Sequence, residues 1–202
     1  MENDNLMLRV QRLYASIKAI IETDISKFKP SIISNNHRTG FYHDWTGNLT
    51  EAERTNYVQS LISNIASFEY QLYKWADDYA HDKTIVKNTF DHSKALQIIH
   101  DLWNTDKHAG SSRISRSGLW PTLKEINSSL QLSTKPEKGS SIGLTFNANG
   151  TPKILGNGPA RVVISADVLD KEGNIVADFY KITLGAVAAW ETVLRNFDVN
   201  IE

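Results

Sequence analysis

The sequence predicts an α+β fold, and three observations carry that expectation. Helical apolar periodicity dominates the first half, alternation and turn residues dominate from Gly110 onward, and a helical stripe returns at the end of the chain. In the first segment Leu6, Val10, Leu13, Ile17, Ile20 and Ile21 share one helical face, and Pro30 is expected to end that helix. The segment from Asn35 to Asn48 mixes aromatic, glycine and polar residues without either period and reads as an ordered loop. Thr50 followed by Glu53 has the form of a capping box. Beyond it Tyr57, Leu61, Ile65, Phe68, Leu72, Trp75 and Tyr79 recur at spacings of three and four. A helix of about seven turns needs a long partner, most simply the first helix in an antiparallel hairpin. A third helix is expected from Asp91 to Ala109.

Four strands are expected after Gly110, over Leu123–Leu132, Ile142–Phe146, Arg161–Leu169 and Ile175–Ile182, forming an antiparallel β-meander. The segment Asp170–Asn174 and the pair Asn149-Gly150 supply its turns. From Thr183 to Phe197 the stripe Val187, Trp190, Leu194 and Phe197 predicts a C-terminal helix returning to the other three. The organisation expected is one domain over 1–202: a helical part at 1–110, a β-sheet insertion at 111–182 and the last helix at 183–202.

Composition limits the function classes. The 22 Lys and Arg residues balance 23 Asp and Glu, so nucleic-acid binding would need a local basic patch. The absence of cysteine removes disulfides, thiolate metal sites and cysteine nucleophiles and fits a cytoplasmic setting. The first ten residues carry acids where a secretory signal carries positive charge, and the apolar run Leu184–Trp190 is far shorter than a membrane span. Asp77, Asp78 and His81 have metal-compatible helical spacing, but three residues on one helix without a second cluster make a poor site; His37 and His43 read as structural histidines. Neither a metal nor a cofactor is expected.

The segment with most chemical content is Leu102-Trp103-Asn104-Thr105-Asp106-Lys107-His108. At about 100° per residue, Ala95, Ile98, Ile99 and Leu102 form a seam, while His100, Asn104 and His108 stack on the other side, flanked by Asp101 and Lys107. This segment, with Ala109 and Gly110 behind it, resembles the motif of the HEPN superfamily, in which an arginine and a following polar residue precede a histidine near the end of a bundle helix. Asn104 matches the polar residue and His108 the histidine, whereas Trp103 stands in the arginine position. The resemblance covers the four-helix plan and this motif. It implies a homodimer, with either an RNA or a protein partner. Some members of that superfamily are metal-independent ribonucleases; others are binding or regulatory proteins. A protein of interaction or regulatory type, in a bacterial defence or toxin system, is the first expectation, with cleavage of single-stranded RNA as the alternative and an assembly component as a third.

Metal-free RNA cleavage needs a base for the 2′-hydroxyl and a cation for the transition state. His108 is the candidate base, with Asn104 and Lys107 beside it. Arg113 and Arg116, set among the hydroxyls of residues 111–117, are candidate phosphate ligands, as is Arg38, which precedes His43 by the same Arg-to-His interval.

Overall fold

The computed structural model describes residues 3–34, 39–107 and 114–200 of the chain. Its architecture is α+β, with five α-helices and antiparallel strands. Helix α1 (Asn3–Ala19) buries Leu6, Val10, Leu13 and Ile17, as its period requires. It stops well before Pro30, because residues beyond it enter the sheet instead: strand β1 (Ile21–Glu22) pairs with β7 (Ala160–Leu169) through Ile21 opposite Val163 and Glu22 opposite Val162. The Ile164 amide donates to the Ile20 carbonyl at 2.9 Å. A 3₁₀ turn (Ile25–Lys27) follows. Strand β2 (Ser31–Ser34) then pairs antiparallel with β3 (Thr39–Tyr42), which lies inside the segment expected to be a loop.

Helix α2 (Glu51–Asp78) begins at the anticipated capping box. The Glu53 amide donates to Thr50 Oγ1 at 3.2 Å, and the Thr50 amide donates to Glu53 Oε2 at 2.8 Å. At about 1.5 Å per residue it is roughly 42 Å long, far longer than α1. It therefore packs on α4 and α5 as well as α1. The expected third helix corresponds to α4 (Lys94–Lys107), and before it stands a helix that was not expected, α3 (Thr84–His92). Ser93 between them is extended, and its Oγ accepts from the Leu96 amide at 3.3 Å, so a serine cap restarts the helix.

The sheet is not a sequential meander. Strand β7 is central, with β4 (Thr122–Leu132) along one edge. Its other edge is shared by β1 and β8 (Ile175–Asp178). Strands β5 (Ile142–Phe146) and β6 (Pro152–Gly156) form a separate hairpin around the expected turn, where Gly150 has φ +78° and its amide donates to the Asn147 carbonyl at 2.8 Å. The main sheet thus draws a strand from the helical part and omits two from the region expected to form it. Between Lys124 and Asn127 the β4–β7 register shifts, leaving Glu125, at φ +54°, and Ile126 opposite Ala166 in a bulge. The freed Ile126 carbonyl accepts from Arg54 Nε at 3.3 Å.

Helix α5 (Phe179–Asn196) starts earlier than its apolar stripe suggests. Asp178 caps it, accepting from the Lys181 amide at 2.9 Å, while its second oxygen accepts from Ser165 Oγ at 2.9 Å. Ser165 in turn accepts from the Tyr180 amide at 3.0 Å. This chain of bonds ends β8 and turns Phe179–Ile182 into helix, where alternation alone suggested strand. Trp190 Nε1 donates to the Ile65 carbonyl at 3.0 Å, tying α5 to α2 inside a core shared by the helices and β7. Tyr14 on α1 donates to Glu191 on α5 at 2.5 Å, and its phenol is pushed up to about 12, first by burial and then by that bond. Among the described residues no helix is long and apolar enough to cross a membrane.

Asp178→Ala removes the cap and leaves Ser165 without its acceptor. A loss of about 1–2 kcal/mol in urea unfolding is expected; unchanged stability would show that the helix start is fixed by packing alone.

Candidate functional site on the face between α2 and α4

Helix α4 buries Ile98, Ile99 and Leu102 of the expected seam, and Leu96 with them, while Ala95 is half-buried. His100 and Asn104, one turn apart, are half-buried. Asn104 Nδ2 lies 3.0 Å from His100 Nδ1. An amide nitrogen only donates, so with the amide oriented this way Nδ1 is the acceptor and the imidazole proton sits on Nε2. The His100 ring stands edge-on to Phe90 at 5.5 Å and 82°, and to Trp103 at 5.9 Å and 66°. Beside it a cleft of about 430 Å³ opens between α2 and α4, lined by Glu69, Tyr70, Tyr73, His100 and Trp103 among others.

Asp101 has a different part from the one its sequence position suggests. It is buried, only 5% exposed, and its carboxylate gathers the chain that returns after α4. Ser115 Oγ and Ser117 Oγ each donate to it at 2.6 Å, and the amides of Arg116 and Ser117 each donate at 2.8 Å. Lys94 Nζ donates to the Ser117 carbonyl. Four donors on one carboxylate satisfy its oxygens in a buried place and fix the segment around it. Arg116 is fixed with it, its guanidinium 5.3 Å from the centroid of the Phe90 ring.

Arg116 also sets the electrostatics of the cleft. Burial pushes the Glu69 carboxyl above its ordinary value, with Arg116 pulling against that rise and Asp91 adding to it. Burial raises the Tyr73 phenol as well, reinforced by Glu69 and Asp91. Asp91 is held low, chiefly by its hydrogen bond to Lys87. The face thus combines a carboxyl inclined to keep its proton, an imidazole paired to an amide, a fixed guanidinium, and the rings of Tyr70, Tyr73 and Trp103. It can donate and accept hydrogen bonds beside flat apolar surface.

Of the residues singled out from the sequence, Asn104 lies on this face and Arg116 borders it. His108, Arg113 and Arg38 lie outside the described residues, and Lys107 closes α4 with its side chain outside them too. Glu69 and Tyr73 gave no sequence signal, since each is one polar residue on a long helix. The hydroxyls of Ser115 and Ser117, read from the sequence as surroundings for phosphate-binding arginines, bond instead to Asp101. His43 is a structural histidine, as expected: Nε2 lies 2.8 Å from the Gly150 carbonyl, and the ring stacks on Trp45 at 5.5 Å and 20°. Asp77 and Asp78 pair with Lys83 and Lys74, and His81 stacks on Phe197 at 4.8 Å. Comparison with protein-family models, curated proteins and solved structures finds no match to this chain.

Asp101→Ala leaves several half-buried or buried donors without an acceptor, so a loss of about 2–4 kcal/mol in denaturant unfolding is expected. A loss below about 0.5 kcal/mol would show that the return segment is held by other contacts. For Glu69 the folded chain holds its proton more tightly than the unfolded chain. Its contribution to stability is therefore complete below the ordinary carboxylate value and is lost as pH rises through the raised value. Glu69→Gln cannot ionise. It should melt with the wild type in acid and about 1–2 °C higher at neutral pH; thermal melts that stay parallel across that range would contradict the assignment.

Proposed function

We propose that this chain is a HEPN-like protein of interaction or regulatory type that works as a homodimer through the α2–α4 face, in a bacterial defence or toxin system as the motif resemblance implies. The observation that carries this reading is the make-up of that face. Tyr70 is 68% exposed at the rim of a cleft also lined by half-buried Tyr73 and Trp103. Tyrosine, tryptophan and arginine are the residues that anchor protein contacts. Two of the polar groups nearby are already engaged, His100 with Asn104 and Arg116 with the Phe90 ring. The Glu69 carboxyl and the Tyr73 hydroxyl line the same cleft, so a partner that covers it must supply their hydrogen bonds.

One observation favours the ribonuclease reading instead. A carboxyl raised by burial and a guanidinium acting on it, as in Glu69 and Arg116, are the proton-transfer group and the cation that metal-free phosphodiester cleavage requires.

The two readings separate in one set of measurements. Sedimentation equilibrium should show a dimer for the wild type and a monomer for Tyr70→Glu, since a carboxylate at the rim would be buried unpaired. Single-stranded RNA incubated with the wild type should remain intact. A monomeric wild type would overturn the interaction reading. Metal-independent cleavage that disappears in His108→Ala would replace it with the ribonuclease.

A further inference from the structure

A second cleft, of about 410 Å³, opens where the end of α1 and the 3₁₀ turn meet the sheet, a volume within the range of small-molecule sites. Its floor is apolar: Ile20 is 1% exposed, and Val162 and Ile164 are each 4% exposed. One wall is aromatic, with the rings of Phe28 and Trp45 5.5 Å apart and inclined at 56°. The wall is fixed from behind. His43 stacks on Trp45 and is itself held at the Gly150 carbonyl. The turn after Trp45 is pinned by Thr46, whose amide and hydroxyl donate to Asp44 at 2.9 and 2.8 Å. Gly47, at φ +62°, brings its backbone so close that a Cβ there would sit 3.1 Å from the Phe28 ring.

The polar groups of this cleft are unequally satisfied. Of the charged residues lining it, Lys27 and Glu22 close on each other at 2.8 Å, and that bond holds the Glu22 carboxyl below its ordinary value. Lys18 is left uncompensated. Among the described residues, Lys18 Nζ, the Tyr57 hydroxyl and Ser128 Oγ have no hydrogen-bond or ion-pair partner. Each can donate, and no carboxylate without a partner lines the same space.

We propose that this cleft is a binding site for a small aromatic anion, its ring lying against Trp45 and Phe28 over the Val162–Ile164 floor and its carboxylate facing Lys18. A neutral apolar ligand would leave the donors unmatched. A cation would meet an unpaired ammonium. Because the wall is built before anything binds, little ordering opposes binding.

The test uses two probes with one ring and opposite charge, indole-3-acetate and tryptamine, titrated into the full chain by calorimetry with amide chemical shifts as the map. Indole-3-acetate should bind and shift the amides of Trp45, Thr46, Gly47 and Ile21, with tryptamine at least about tenfold weaker. Lys18→Ala, an exposed position on α1, should weaken indole-3-acetate about tenfold and leave tryptamine unchanged. Ser128→Leu, which fills the floor from β4, should abolish binding while circular dichroism stays as in the wild type. Equal binding of both probes, amide shifts elsewhere, or indifference to Lys18→Ala would overturn the proposal. None of these outcomes bears on the α2–α4 face, which is separate in residues.

Discussion

A strand buried on both faces must find hydrogen-bond partners along both edges and apolar cover above and below. Strand β7 is in that position, with every residue from Val162 to Ala166 buried. Its demand organises the molecule. One edge is met by the long strand β4, and the other is divided between β1, from the segment just after α1, and β8, which leads into α5. Val163, Ile164, Ala166 and Val168 of β7 then share one core with the apolar side chains of the helices, while Val162 packs with Ile25 and Phe28 in a smaller one. Helix α1 ends where it does because Ile21 is needed at the sheet, and α5 starts where it does because Asp178 and Ser165 fix the corner.

One of the two clefts follows from this arrangement. The one near β7 lies over its Val162 and Ile164 side chains, between the return of α1 and the turn that leads into α2. Its shape therefore depends on a two-residue strand. The α2–α4 face depends on a different constraint, the Asp101 carboxylate, which holds the segment carrying Arg116. That anchor sets the guanidinium over Phe90, from where it opposes the larger effect of burial on Glu69. A buried acid thus acts on the site through the backbone it positions, without facing the cleft itself.

The chemistry of α4 was partly legible in the sequence. The 3.6-residue period separated Ile98, Ile99 and Leu102 from His100 and Asn104, and those two side chains do lie one turn apart and touch. Asp101, read as a polar residue beside the stripe, is buried. Its polar type gave no means of telling a solvated carboxylate from one that has collected four donors. Helix α3 and the break at Ser93 went unread: no element is expected between Tyr79 and Asp91, and a serine cap shows itself only when its hydroxyl meets the Leu96 amide.

By itself the sequence determined the α+β class, the α2 capping box, the buried stripes of α1 and α5, that of α2 from Leu61 to Trp75 though not its exposed ends Tyr57 and Tyr79, and the β5–β6 turn at Gly150, since each depends on residues a few positions apart. Only the tertiary structure decided that β4 pairs with β7, that β1 joins the same sheet, and that Glu69, His100 and Trp103 line one cleft. Periodicity records that a face will be buried, not what will bury it. That choice is made by long-range hydrogen bonding and packing, in which residues far apart in the chain, such as Ile21 and Val163, first become neighbours.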